Sequence, residues 1–157
     1  MSRKTHSTRR SHSRHAQRVF AFQILYSLNF DQTGSRLLST FDHFKNDQDT
    51  AAQQEMSYAL QLVNGVRDNL DKLDAVISRH SQNWKVKRIA MVELSIMRLA
   101  VYEMTHREDI PIKVAINEAV ELAKTFGDNN SRNFVNGILD AVARDIRHDQ
   151  PGTDAGA

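Results

Sequence analysis

From Lys87 to His106, the apolar residues Ile89, Met91, Val92, Leu94, Ile96, Met97, Leu99, Val101 and Met104 cover most of a helix's circumference. A helix that is apolar nearly all round is stable only when other elements enclose it. The rest of the chain must therefore supply amphipathic partners, and its spacing does. Val19, Phe22 and Tyr26, with Phe20, Ile24 and Leu28, step by three or four from a start near Arg14. Ser35 to Lys45 places Leu37, Leu38, Phe41 and Phe44 on one face. A long piece from about Ala51 to Ser81 carries Met56, Leu60, Val63, Leu70, Leu73 and Ile77, with Gly65 as its weak point.

After the central segment, Pro111 biases Ile110 away from helix and suits a first helical turn. Ile112, Ile116, Ala119, Ala123 and Phe126 form a core face, and Gly127 is placed to cap its end. Asn129, Asn130 or Ser131 can cap a last helix bearing Phe134, Ile138, Val142 and Ile146. No alternating run bounded by turn residues argues for a strand, and no period of 20–50 residues argues for a solenoid. The predicted fold is all-α, a bundle of six or seven helices in one domain. Residues 1–13 read as a disordered basic arm, 14–149 as the helical domain and 150–157 as a disordered tail.

Composition narrows the chemistry. With 40% hydrophobic and 25% charged residues, a chain of 157 residues can bury a core. The absence of cysteine excludes disulfides, thiolate catalysis and Cys-ligated zinc. The apolar run VFAFQILYSLNF is broken by Gln23, Ser27 and Asn29, so neither a signal peptide nor a membrane span is predicted, and a cytoplasmic protein is expected. Glu118 and Glu121 lie three apart, but no histidine follows at metal-binding spacing, and helix surface electrostatics account for them. His6, His12 and His15 lie in or beside the arm, and the remaining four histidines are far apart in sequence. No phosphate-binding glycine loop or nucleophile elbow is present. The sequence predicts no catalysis, metal or cofactor.

Charge distribution points to binding instead. The net charge is only +2, yet residues 1–30 hold six Lys or Arg and no acid, leaving 15 basic against 19 acidic side chains elsewhere. A basic arm on a mildly acidic body suits a nucleic-acid partner, although a solvated tail has the same composition. Arg14 and Arg18 lie one turn apart, with His15, Gln23 and Tyr26 on the same helix. Arginine forks onto phosphate, and a tyrosine ring can stack on an unpaired base, although spacing alone favours a half-buried core role for Tyr26. Ser131 to Phe134 forms a second candidate, where helix N-terminal amides and Arg132 can meet a phosphate.

These residues carry a resemblance. VELSIMRLAVYEM, followed by DIPIKVAINEAVELAKTFGDNNSRNFVNGILD, resembles the C-terminal half of the NusB family of antitermination factors. RHAQRVFAFQILY is similar to the family's arginine-rich opening and its A-x-Q-x-L-Y pattern, here Ala21, Gln23, Leu25 and Tyr26. Residues 31–85 match in length and helical character rather than in motif. The resemblance implies a compact, non-catalytic bundle of about seven helices in two small subdomains. It implies binding of single-stranded boxA RNA from ribosomal RNA leaders with NusE, a small-subunit ribosomal protein, in an antitermination complex on RNA polymerase. Carried over by position, Arg9, Arg10, Arg14, His15, Arg18, Gln23, Tyr26, Asn130, Arg132, Asn133 and Phe134 would line the RNA path. Glu93, Arg98 and Tyr102 would lie toward NusE. His15, Ala16 and Gln17 stand where many members have arginines, which implies fewer or shifted phosphate contacts. Asn130 stands where an aspartate is common, so Asn130→Asp is expected to weaken RNA binding by repulsion. A domain related to ribosomal RNA methyltransferases, a protein-interaction scaffold and a homodimer remain open at this point.

Overall fold

The computed structural model describes residues 13–30, 57–81 and 85–149. Within them the chain forms six α-helices and one 3-10 turn, with no strand among the described residues. The segment Ser35 to Lys45 lies outside them, as do residues 1–12 of the arm and the tail from 150. The chain divides into two units, residues 1–63 and 64–157.

The first unit contains α1 (Arg14–Leu28) and the opening of α2 (Ser57–Asp68). Ser13 caps α1, its hydroxyl oxygen accepting the Ala16 N–H at 3.1 Å. Ala21, Phe22, Ile24 and Leu25 of α1 are buried, as are Tyr58, Ala59, Leu62 and Val63 of α2. Gln17 is buried too, and its Oε1 accepts the Ala59 N–H at 3.2 Å. That bond satisfies one of the amides that a helix start leaves without an intrahelical partner.

In the second unit, α2 ends at Asp68 and α3 (Leu70–His80) begins two residues later. The single long helix expected from Ala51 to Ser81 is therefore two. The break falls at Asn69, not at Gly65. Asn69 leaves helical geometry (φ −118°, ψ 18°), its side-chain amide donates to the Gly65 carbonyl at 2.8 Å, and its own carbonyl accepts the Leu73 N–H at 2.9 Å. One residue thus closes α2 and opens α3. Gly65 serves a different purpose: a Cβ there would lie 2.1 Å from the Tyr102 ring.

A 3-10 turn (Val86–Arg88) leads into α4 (Met91–His106), followed by α5 (Ile112–Phe126) and α6 (Ser131–His148). α4 packs against α3, α5 and α6, and α6 also packs on both α3 and α5. Leu94, Ile96, Met97, Leu99, Ala100, Val101 and Met104 are buried, as the all-round apolar pattern required. Apart from Ala100, each such side chain contributes about 1.5–3 kcal/mol by burial. α5 buries Ala115, Ile116, Ala119, Leu122 and Ala123, and α6 buries Val135, Ile138, Leu139, Val142 and Ala143. Pro111 stands just before α5 at the N-cap, with its carbonyl accepting from Val114 at 2.9 Å. Among the described residues no buried side-chain nitrogen or oxygen lacks a hydrogen-bond partner.

Candidate nucleic-acid interface

α1 sorts its polar residues sharply. Arg14, His15 and Gln23 are exposed, whereas Arg18 is only 3% exposed. The Arg14 guanidinium lies over the Tyr58 ring at 3.9 Å, and that of Arg18 at 5.7 Å. Both distances lie within cation–π range. Arg14 thus keeps an exposed side chain on an aromatic support, while Arg18 is taken into the packing of its unit. The expected pair of solvent-facing guanidiniums on one ridge is reduced to one, because Tyr58 and burial claim the other. Arg9 and Arg10 lie outside the described residues. Tyr26 is half-buried, stacked on Phe22 with centroids 5.9 Å apart and edge-on to Phe30 at 5.0 Å. Phe30 is 67% exposed, so this ladder ends in an open aromatic face that the sequence reading passed over.

The second candidate lies in the other unit, in the turn between α5 and α6. Asp128 organises it. Its Oδ1 accepts the N–H of Asn130 at 2.9 Å and that of Ser131 at 3.1 Å. These bonds hold its carboxyl below the ordinary aspartate range, the Asn130 N–H contributing most. Asn130 occupies the N-cap position without a side-chain cap bond, so the capping oxygen belongs to Asp128. One of the amides expected to meet a phosphate, that of Ser131, is therefore already engaged by a carboxylate. Arg132 and Asn133 are exposed, Asn130 is exposed, and Phe134 is half-buried.

Gly127 caps the end of α5 as expected, its N–H donating to the Ala123 carbonyl at 2.9 Å and its backbone extended (φ −93°, ψ −171°). A Cβ there would lie 2.5 Å from the Ser131 side chain and 2.8 Å from the Ala123 carbonyl. Close approach is what the turn asks of this glycine. Ser131 is 2% exposed, and its hydroxyl oxygen accepts the Asp128 N–H at 3.0 Å. The hydroxyl lies 2.7 Å from Glu93 Oε1 and 3.1 Å from Asp128 Oδ1.

The three residues expected toward a protein partner are all engaged within the second unit. Glu93 is half-buried against Ser131. Arg98 of α4 forks onto Asp74 of α3, Nε to Oδ1 at 2.7 Å and Nη2 to Oδ2 at 2.8 Å. Half-buried Tyr102 lies over Gly65 and stacks on His106 with centroids 4.8 Å apart. Among the described residues no group of three His, Cys, Asp or Glu could hold a metal, and no helix is long and apolar enough to cross a membrane.

Among the described residues the architecture is helical throughout, with an arginine-bearing first helix and a capped turn that leaves Arg132 and Asn133 exposed, which defines an all-α protein. Residues 15–144 match the family model described as the NusB family, and the chain belongs to that family. It is similar to the transcription antitermination protein NusB of Oleidesulfovibrio alaskensis, at 47% identity over 135 residues, covering 84% of this chain and 88% of the relative. The fold resembles T. maritima NusB with a TM-score of 0.72 at 32% identity, covering 86% of this chain and 93% of that one. It also resembles NusB in a crystal structure of antitermination factors NusB and NusE with double-stranded RNA, with a TM-score of 0.69 at 26% identity, covering 84% and 96%. The family is one of non-catalytic antitermination factors.

Proposed function

We propose that this protein is a cytoplasmic transcription antitermination factor. It binds the single-stranded boxA element of ribosomal RNA leader transcripts together with NusE, and the pair joins an antitermination complex on RNA polymerase. The observation that carries this reading is the family match over residues 15–144, and a relative of the same fold bound to NusE and RNA supports it. The acid-free basic stretch through residue 30 supplies phosphate-directed charge. Arg9, Arg10 and Arg14 hold phosphates in this reading, with His15, Gln23 and Tyr26 along the same helix and Asn130, Arg132, Asn133 and Phe134 at the α5–α6 turn. Arg18 acts from beneath, through Tyr58, because burial keeps it from solvent.

The test is a titration of the protein, alone and with its own NusE, against boxA RNA and a scrambled control at several salt concentrations. Tighter binding to boxA that strengthens with NusE is the expected result. Equal binding to both RNAs, erased by salt, would leave only a nonspecific basic arm. In the same assay Asn130→Asp weakens boxA binding, and unchanged or tighter binding counts against the placement of that turn on the RNA.

A further inference from the structure

We infer that Glu93 is a positioning residue for the α5–α6 turn, acting through Ser131 on the residues that meet RNA; this rests on the RNA-binding reading above. The geometry is specific. Glu93 sits in the first turn of α4, and Ser131 opens α6, 38 residues away in sequence. Their 2.7 Å contact is the shorter of the two that the Ser131 hydroxyl makes to carboxylates. A hydroxyl carries one proton, and Asp128 Oδ1 already receives two backbone N–H groups. The Ser131 proton is therefore best used toward Glu93. With its hydrogen directed to α4 and its oxygen accepting the Asp128 N–H, Ser131 ties the turn to the central helix.

Position along the chain gives this tie its consequence. Arg132 and Asn133 follow Ser131 directly, are exposed, and make no side-chain hydrogen bond or ion pair among the described residues. Their placement depends on the backbone beneath them, and helix first turns fray unless held. Ser131 itself is buried, and the apolar buried face of α6 begins at Val135, beyond both residues. Glu93 and Asp128 also put two carboxylates at a turn read as facing phosphate, which opposes binding electrostatically. The hydrogen bonds they accept supply the offsetting benefit, because they fix the turn before RNA arrives.

The full-length protein with Glu93→Ala, Glu93→Gln, Ser131→Ala and the Glu93→Ala/Ser131→Ala pair tests the idea. Two readouts are needed: boxA affinity at fixed salt and amide hydrogen exchange across residues 128–134. Glu93→Ala lowers affinity about threefold to tenfold, the scale of one typical lost hydrogen bond, and speeds exchange at Arg132 and Asn133. Glu93→Gln keeps a carbonyl acceptor and stays near wild type in both. The double variant binds no more weakly than Ser131→Ala alone, since both changes break one tie. Wild-type affinity and exchange in Glu93→Ala would overturn the inference, as would a Glu93→Gln defect equal to that of Glu93→Ala. Faster exchange in Glu93→Ala, with a wild type that does not distinguish boxA from the scrambled RNA, would uphold the tie and defeat the RNA reading instead.

Discussion

Asp128 carries the turn before α6, and its neighbours explain why the sequence did not single it out. Asp128, Asn129, Asn130 and Ser131 all have side chains that cap helices, so composition offers four candidates for one bond. Only geometry decides, and it gives the N–H groups of Asn130 and Ser131 to the aspartate. The same ambiguity hid Glu93, whose partner is remote in sequence. Because the folded-state pKa of Asp128 is lowered, its stabilising effect is complete above the ordinary aspartate value and fades as pH falls through the lowered one. Asp128→Ala should therefore melt at a lower temperature than wild type at neutral pH, with the gap closing in acid as pH falls below the ordinary aspartate value. Thermal melts of both proteins across that range check it. A gap that persists undiminished in acid would mean that the carboxylate's charge is not what holds the turn.

Helices and their faces were largely legible, because apolar spacing is set by the same core that buries them. Ile116, Ala119 and Ala123 of α5, and Ile138 and Val142 of α6, are buried as their spacing implied. Phe126, Phe134 and Ile146, assigned to the same faces, are only half-buried, since large side chains near helix ends reach past the packed layer. The break at Asn69 was not legible, because asparagine within a helical pattern costs little until its amide finds the Gly65 carbonyl. Glycine shows the same limit in reverse. Gly65 and Gly137 both lie inside helices, yet a Cβ at 137 meets nothing within 4 Å and one at 65 meets the Tyr102 ring. Gly137→Ala should raise unfolding stability by about 0.5–1 kcal/mol through helix propensity. Gly65→Ala should lower it by about 1–3 kcal/mol, because half-buried Tyr102 must give way. Denaturant midpoints at constant slope measure both. Equal signs for the two substitutions would refute the close approach at Gly65.

At the scale of the whole molecule, charge along the chain left a polyanion surface and a solvated tail both open, and it could not say which cations are free to serve. Arg98 is committed to Asp74, Arg107 to Asp109, and Arg18 to the interior beside Tyr58. Each looks in sequence like any other basic residue, since an ion pair or an aromatic support comes from elements that the fold brings together. Salt dependence separates these roles, because only a side chain that neutralises a phosphate releases counterions. Each neutralised phosphate of single-stranded RNA contributes roughly 0.7 to the slope of log affinity against log salt. Substituting Arg9 and Arg10 together by alanine should therefore flatten the slope by up to about 1.4 while leaving the melting temperature near wild type. Arg98→Ala should do the opposite, lowering stability by breaking its fork to Asp74 and leaving the slope unchanged. Titrations of the three proteins against boxA RNA between low and physiological salt, with a thermal melt of each, decide the matter. If the Arg9/Arg10 variant keeps the full slope, phosphate neutralisation rests on other cations, and the arm's excess charge serves encounter with RNA rather than the bound complex.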